Sequence, residues 1–416
     1  MKALIVGAGV CGPVTAMALQ RAGIDAVVYE AHEPTESEVG SYLTVATNGL
    51  DALSAIGAAA PVMAAGFPTD RTVLFSGTGK RLGTVPISST RHGRLMSHTI
   101  KRPHLHRVLH DEATRRRVRI EFGKRLRSAH ATASGVRADF DDGSHATGDV
   151  LIGCDGVHSV TRTIIAPDAP QPRYVGLVNF GGYTPNRVVG EPGAWHMIFG
   201  ARAFFGYVPD PAGGTVWFAN VPRDASSPSE RATTSMDRWK AWLLQLFADD
   251  RSPVSELIAG GTLQLAGDNT HDLPSVPVWH RASLIIIGDA AHAPSPSSGQ
   301  GASLAVEDGV VLAQCLRDEP GIPQAFTSFE RIRRRRVERV VAQGARNSAS
   351  KAAGPIGRIV RDHMLPFVFR YLVTEQSLAW MFEHHIDWNS RTPVMSSSHE
   401  VDRKFREFSA RNSKTS

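Results

Sequence analysis

The stretch "ALIVGAGVCG", residues 3–12, is a short apolar run followed by Gly7, Gly9 and Gly12 in the spacing G-x-G-x-x-G. Residues 13–21 read as a helix carrying Val14, Met17, Ala18 and Leu19, and Pro13 suits a first turn, where a missing N–H costs little. A second apolar run, "DAVVYE", ends in Glu30, 18 residues after Gly12. Strand, glycine turn, helix, strand and acid make a βαβ dinucleotide-binding unit. Gly7 permits the tight turn, Gly9 lets a pyrophosphate approach the backbone, and Gly12 lets helix and strand pack closely. Val10 and Cys11 share that turn, where the N–H groups of the helix start favour phosphate. Glu30 suits both hydroxyls of a ribose. The unit alone fits NAD and FAD equally.

Two later loops separate them. "DVLIGCDGVHSVTR", 149–162, runs from a strand through the turn Gly153-Cys154-Asp155-Gly156 into a helix start with Ser159 and Arg162. These side chains suit either capping of the turn or contact with a cofactor. "GDAAHAPSPSSGQGASLAVEDG", 288–309, follows the apolar run 283–287 and places the lone acid Asp289 at a strand end. Pro296, Gly299, Gln300 and Gly301 then lead into a helix.

Taken together, these three loops resemble the single-component FAD-dependent aromatic hydroxylases, the para-hydroxybenzoate hydroxylase family of group A flavoprotein monooxygenases. A fourth match is "IKRPHLHRVL", 100–109, where Arg102 and Leu105 fit an Arg-x-x-Leu helix start that in the family contacts the flavin side chain. The resemblance covers roughly residues 1–340, and Cys154 stands where alanine is commoner. It implies FAD as cofactor, with Gly7, Gly9, Val10, Cys11, Gly12, Glu30, Arg102, Asp155, Gly156, Asp289, Pro296, Gly299, Gln300 and Gly301 as its binding residues. Asp289 would bond ribityl or ribose hydroxyls. The Gly299-Gln300-Gly301 helix start would face the flavin ring and favour its reduced anion. NADPH or NADH would be a transient co-substrate, consistent with the lack of a second G-x-G-x-x-G after a strand. The implied reaction uses O2 and a flavin C4a-hydroperoxide to hydroxylate or epoxidise a hydrophobic, electron-rich, aromatic small molecule. Rival readings are a flavin oxidoreductase without oxygen insertion and a flavin-dependent halogenase. Against the halogenase, "WFANVP" at 217–222 has Ala219 where that class carries a second tryptophan.

The implied fold class is α/β. A discontinuous Rossmann-like FAD-binding domain (1–70, 95–170 and 279–340) carries an inserted antiparallel-sheet substrate domain (71–94 and 171–278), and a C-terminal helical segment with a tail fills 341–416. Short Val-, Phe-, Trp- and Tyr-rich runs between Gly, Pro and Asn support the inserted sheet. Residues 71–86 read as a hairpin of that sheet, and 235–247 as an amphipathic helix. Substrate-pocket candidates are Trp195, Met197, Phe205, Tyr207 and Trp217, of which strand alternation turns about half away from any one face. His196 and His292 could act as bases, but no triad partner is visible, so the sequence names no catalytic residue.

The 416 residues, 42% hydrophobic, suffice for proper cores. Cys11, Cys154 and Cys315 form no C-x-x-C pair, which points to reduced thiols in the cytoplasm and no metal site. The N-terminal apolar run is too short for a signal peptide, and no stretch of about 20 apolar residues suits a membrane span. The 46 basic and 40 acidic residues give a net charge of +6, much of it in "ERIRRRRVER", 330–339. Phe326, Phe329, Ile332, Val337, Val340 and Val341 recur there at helical spacing, so the arginines read as a solvated helix face and no nucleic-acid partner is expected. A monomer and a homodimer both fit.

Overall fold

The computed structural model describes residues 1–33, 40–88, 95–133, 135–351, 363–364, 366–369 and 373–392. Residues 89–94, at the end of the expected 71–94 segment, and about half of the C-terminal segment, including the tail from 393, lie outside the described residues.

The apolar runs 2–6, 25–29, 150–153 and 284–286 become neighbouring parallel strands. The six-stranded sheet runs in the order His280–Arg281, Leu284–Ile286, Val150–Gly153, Lys2–Val6, Asp25–Tyr29, Arg119–Glu121. Parallel strands are covered on both faces, so their residues are apolar throughout rather than alternating. Ala3, Leu4, Ile5, Leu151, Ile152, Ile285 and Ile286 are fully buried. The helix Cys11–Arg21 packs on this sheet and on the helix Gly301–Asp318. Gly309 permits the contact, since a Cβ there would lie 2.6 Å from Thr15 Oγ1. The first helix starts at Cys11, two residues before the expected Pro13, because Gly12 and Pro13 both fit its first turn.

The second sheet has seven strands, ordered Thr262–Asp272, Arg173–Pro185, Gly214–Pro222, Phe204–Asp210, Ala194–Phe199, Arg71–Ser76, Arg81–Pro86. The 71–86 hairpin joins it as expected. The sheet is not wholly antiparallel: Ala194–Phe199 pairs with Arg71–Ser76 in parallel. A parallel join needs a long crossover. Here the crossover is the whole stretch between the two strands, which runs through the first sheet. One face of the seven-stranded sheet packs on the helices Met236–Leu246 and Val254–Gly260 through Phe180, Phe205, Trp217, Trp239, Leu243 and Leu257.

A single helix, Ile322–Lys351, crosses the boundary drawn at 340. Its apolar stripe is buried as expected, but its arginines are only in part a solvated face: Arg331, Arg335 and Arg339 are exposed, and the others turn inward. Arg333 is fully buried and Arg336 nearly so. Arg334 donates to the carbonyls of Val276 and Pro277 and lies 4.5 Å over the Trp279 ring. The cause is two buried acids on the preceding helix, which draw the positive charge inward. A further helix, Glu375–Phe382, begins with a capping box between Thr374 and Ser377.

Candidate active site

Two helices begin at one cleft, and neither N-terminus is capped by a side chain: Cys11–Arg21 after the first glycine loop and Gly301–Asp318 after the third. Their first-turn N–H groups make a paired anion-binding surface.

The glycines divide into two kinds. A Cβ on Gly12 would lie 2.0 Å from the Gly7 carbonyl oxygen, and one on Gly7 would lie 2.5 Å from that of Cys154. These two close the βα turn and dock it on the second loop. At Gly9, Gly156 and Gly299, no protein atom lies within 4 Å of such a Cβ. These three face open space at the positions expected to approach a cofactor. Glu30 is aimed at the first loop: it accepts from the Ala8 N–H at 2.7 Å and from the His32 N–H at 3.0 Å. The His110 imidazole meets the Ala8 carbonyl from the helix Arg102–Arg115.

Asp155 does structural work. It accepts from Ser159 Oγ at 2.6 Å and from the Thr161 N–H and Oγ1, both at 2.9 Å. Of its two expected roles, capping is the one the geometry displays. Arg162 ties the second loop to the third, donating to the carbonyls of Val157 at 2.8 Å and Ala290 at 3.0 Å.

Asp289 is different. Among the described residues no protein group donates to its carboxylate. It is exposed by area, yet burial among surrounding atoms pushes its carboxyl pKa up. A carboxylate with both properties lines a cleft. A Cβ on Gly301 would lie 4.0 Å from Asp289 Oδ1, so the acid and the helix start share one space. The charge of Arg102 opposes the upward push on Asp289, which places the expected arginine at the same cleft. Leu105 is buried in the core below it. An uncommitted acid, two uncapped helix starts and three open glycines fit a dinucleotide cofactor with a ribityl chain. Asp289 would take its hydroxyls, the first helix its pyrophosphate and the Gly299–Gly301 backbone its ring.

The third loop is held by buried charges. Asp308 accepts from the Gly288 N–H at 2.8 Å, from His292 Nε2 at 2.5 Å and from Arg333 Nε at 2.7 Å. Glu307 pairs with Arg333 and Arg336 and accepts from Asn48 Nδ2 at 2.6 Å; Asn48 also donates to Gln300 Oε1 at 2.9 Å. Gln300 therefore faces protein with its side-chain oxygen, and its own backbone N–H donates to Ser298 Oγ at 3.1 Å. His292 is a positioning group. Burial alone would raise the carboxyl pKa of Glu307; Arg333 and Arg336 overcome it and hold the group well below the usual range.

The other face of the seven-stranded sheet carries its own apolar cluster. Trp195, Val208 and Val216 are buried there, with Met197, Phe218, Tyr42 and Tyr183 partly buried around them. Trp195 Nε1 donates to Thr99 Oγ1 at 3.0 Å, and its ring meets Phe218 edge-on at 5.5 Å. The expected pocket residues split. Trp195 and Met197 lie on this face, whereas Phe205, Tyr207 and Trp217 lie under the helices. They alternate with Phe204, Gly206, Val216 and Phe218, so strand parity sends them to the opposite side. His196 shares their side, stacked 4.9 Å from Tyr207, with burial lowering its pKa. It is a packing residue.

Sequence reasoning missed Asn48, His110, Glu307, Asp308 and Arg333. A run "VED" inside an apolar helix, followed by four arginines, was the available signal.

A family model described as FAD binding domain matches residues 1–344. The FAD-dependent urate hydroxylase of Klebsiella pneumoniae is 33% identical over 347 residues, covering 82% of this chain and 88% of its own. The 3-amino-4-hydroxybenzoate 2-monooxygenase of Streptomyces cremeus is 30% identical, covering 82% of this chain and 85% of its own. The solved structure of K. pneumoniae HpxO complexed with FAD and uric acid superposes with a TM-score of 0.77 at 27% identity, covering 91% of this chain and 97% of that one. The fold and the cleft thus define a flavoprotein, and the chain belongs to the FAD binding domain family. It is an FAD-dependent monooxygenase, an oxidoreductase of the group A class. Among the described residues no helix is long and apolar enough to cross a membrane.

Proposed function

We propose that the enzyme hydroxylates an aromatic or similarly electron-rich small molecule lying between the third loop and the Trp195, Met197 and Phe218 face of the seven-stranded sheet. The observation that carries this reading is the split of the sheet. One face is sealed by helices, and the other carries aromatic and thioether groups, of which Phe218 is linked to the 295–298 loop through Lys351 and Ser348 at the end of the long helix. The overall reaction is R–H + O2 + NAD(P)H + H+ → R–OH + H2O + NAD(P)+. The chemistry supplied by bound FAD is hydride acceptance and O2 activation. The protein's own part is to orient the substrate, exclude water and place the Gly301–Asp318 helix start where negative charge develops. The urate and hydroxybenzoate named for the relatives indicate oxygenated rings as the first substrates to screen. We place the enzyme in the cytoplasm, a reading supported by three buried free thiols.

The test is the visible spectrum of the purified protein under anaerobic conditions, before and after NADPH or NADH, with and without a panel of hydroxylated aromatics. A flavin spectrum that bleaches, followed by aerobic formation of a product one oxygen heavier, supports the proposal. A protein that cannot be reconstituted with FAD, or a bleached flavin that yields only H2O2 with every compound, counts against it.

A further inference from the structure

The end of the long helix joins the cofactor loop to the substrate sheet. Ser348 Oγ lies 2.6 Å from Ser295 Oγ and 3.0 Å from Ser297 Oγ, and Asn347 donates to the Ser297 carbonyl at 3.1 Å. Lys351 follows within one helical turn. Its ammonium donates to Asn220 Oδ1 at 2.7 Å, and Asn220 in turn donates to Asn179 Oδ1 at 2.5 Å. It lies 4.1 Å from the centre of the Phe204 ring and 5.8 Å from that of Phe218. Phe204, Phe218 and Asn220 belong to the side of the sheet away from the helices, by the parity that buries Phe205, Trp217 and Ala219 on the other.

Lys351 is thus a cation set between the 295–298 loop and the aromatic face. Among the described residues no carboxylate lies within ion-pair distance of it. Burial pushes its pKa down to about 7, with no acid opposing the shift. An ammonium in such a place is costly unless a partner arrives. The ring faces offset part of that cost. Of its three donors Asn220 takes one. The two amides, Asn220 and Asn179, lock the lysine in place without neutralising it.

We propose that Lys351 binds substrate directly, pairing with an anionic oxygen on an aromatic ring that rests against Phe204 and Phe218. This rests on the monooxygenase reading above and narrows it: the substrate carries a carboxylate or a phenolate. A bound anion would restore the charged lysine and leave the electron-rich ring beside the 296–301 loop. No bond is made or broken by Lys351; its part is recognition. The sequence offered no signal, because one lysine after "RNSAS" looks like any polar helix end.

The experiment uses FAD-loaded full-length enzyme and calorimetric titration with two matched pairs, benzoate against benzamide and 4-nitrophenolate against nitrobenzene. The wild type should prefer the anion of at least one pair, and the pair that shows the preference distinguishes carboxylate from phenolate. Lys351→Met should weaken that anion by about tenfold or more, the order set by a charge-assisted hydrogen bond, and leave its neutral partner unchanged. Lys351→Arg should recover part of the loss. If Lys351→Met fails to retain FAD, Lys351→Gln, which keeps a donor for Asn220, is read in the same way. Anion preference that survives in the neutral variants overturns the proposal, as does a wild type with no anion preference in either pair. A wild type that binds no FAD refutes the monooxygenase reading itself, whereas an FAD-loaded enzyme without anion preference refutes only the role of Lys351.

Discussion

Replacing Arg333 by methionine probes the charge cluster that holds the third loop. Arg333 is fully buried, with Nη1 2.5 Å from Glu307 Oε2 and Nε 2.7 Å from Asp308 Oδ1. Methionine fills much of the stem volume and removes the charge. Glu307 keeps Arg336 and Asn48, while Asp308 keeps His292 and the Gly288 N–H. Breaking one partner of a buried pair costs about 3–5 kcal/mol, and the retained partners place this variant near about 3. With a urea slope of about 3 kcal/mol per molar, the unfolding midpoint falls by about 1 M. The pH dependence gives a second handle. Burial opposes the charge on Asp308, and His292 and Arg333 overcome it, so its folded pKa lies below the usual value, as does that of Glu307. In the wild type this stabilisation is present above the unfolded carboxyl pKa and is lost as pH falls through the depressed folded values. Without Arg333 the two carboxyls titrate higher in the folded state. The variant's deficit therefore shrinks as pH falls from about 8 to about 5, because the buried acids take up protons. Urea midpoints at both pH values measure this. A loss below about 1 kcal/mol, or a deficit that grows toward low pH, would show that Arg333 does not pay for burying these acids.

Asp289→Ala should lose bound FAD while the far-UV circular dichroism stays that of wild type and the apoprotein's unfolding free energy lies within about 0.5 kcal/mol of it, since no protein group among the described residues depends on the carboxylate. Stoichiometric FAD in that variant would remove Asp289 from the site. The arginine run should divide sharply. Arg335→Ala, at an exposed position, should be silent, whereas Arg334→Ala should lower the unfolding free energy by about 1–2 kcal/mol through lost carbonyl bonds and the Trp279 contact. Equal effects of the two would mean that the stacked position of Arg334 contributes nothing in solution.

The cofactor half of the site was legible because its chemistry depends on backbone. Gly7 and Gly12 sit where a Cβ would strike a carbonyl oxygen, and Gly9 and Gly299 sit where the chain is open. Such constraints act within a few residues, so they appear as spacing. Asp289 stood out as a candidate for a related reason: an acid at a strand end before a glycine-rich helix start has few other uses, and in the fold no described protein group donates to it.

The inward turn of the arginines was not legible. Helical periodicity placed Phe326, Val337 and Val340 inside, but a buried Arg333 requires knowing that Glu307 and Asp308 wait across the interface. Pairing across 25 residues or more follows from packing of one helix on another, not from any local pattern.

From the sequence alone came the α/β class, the three cofactor loops and the aromatic strands of the second sheet, because hydrophobic period and glycine spacing are local properties of the chain. Tertiary structure alone decided which face of that sheet the helices cover. Strand parity separates Phe204 and Phe218 from Phe205 and Trp217, but the label "inside" or "outside" waits until the helices 236–246 and 254–260 cover one side. It likewise decided that Asp155 caps a turn, that His196 and His292 are packed or paired, and that Lys351 lies against the Phe204 and Phe218 rings. Each of these depends on contacts between residues far apart in the chain, and only the packed core brings them together.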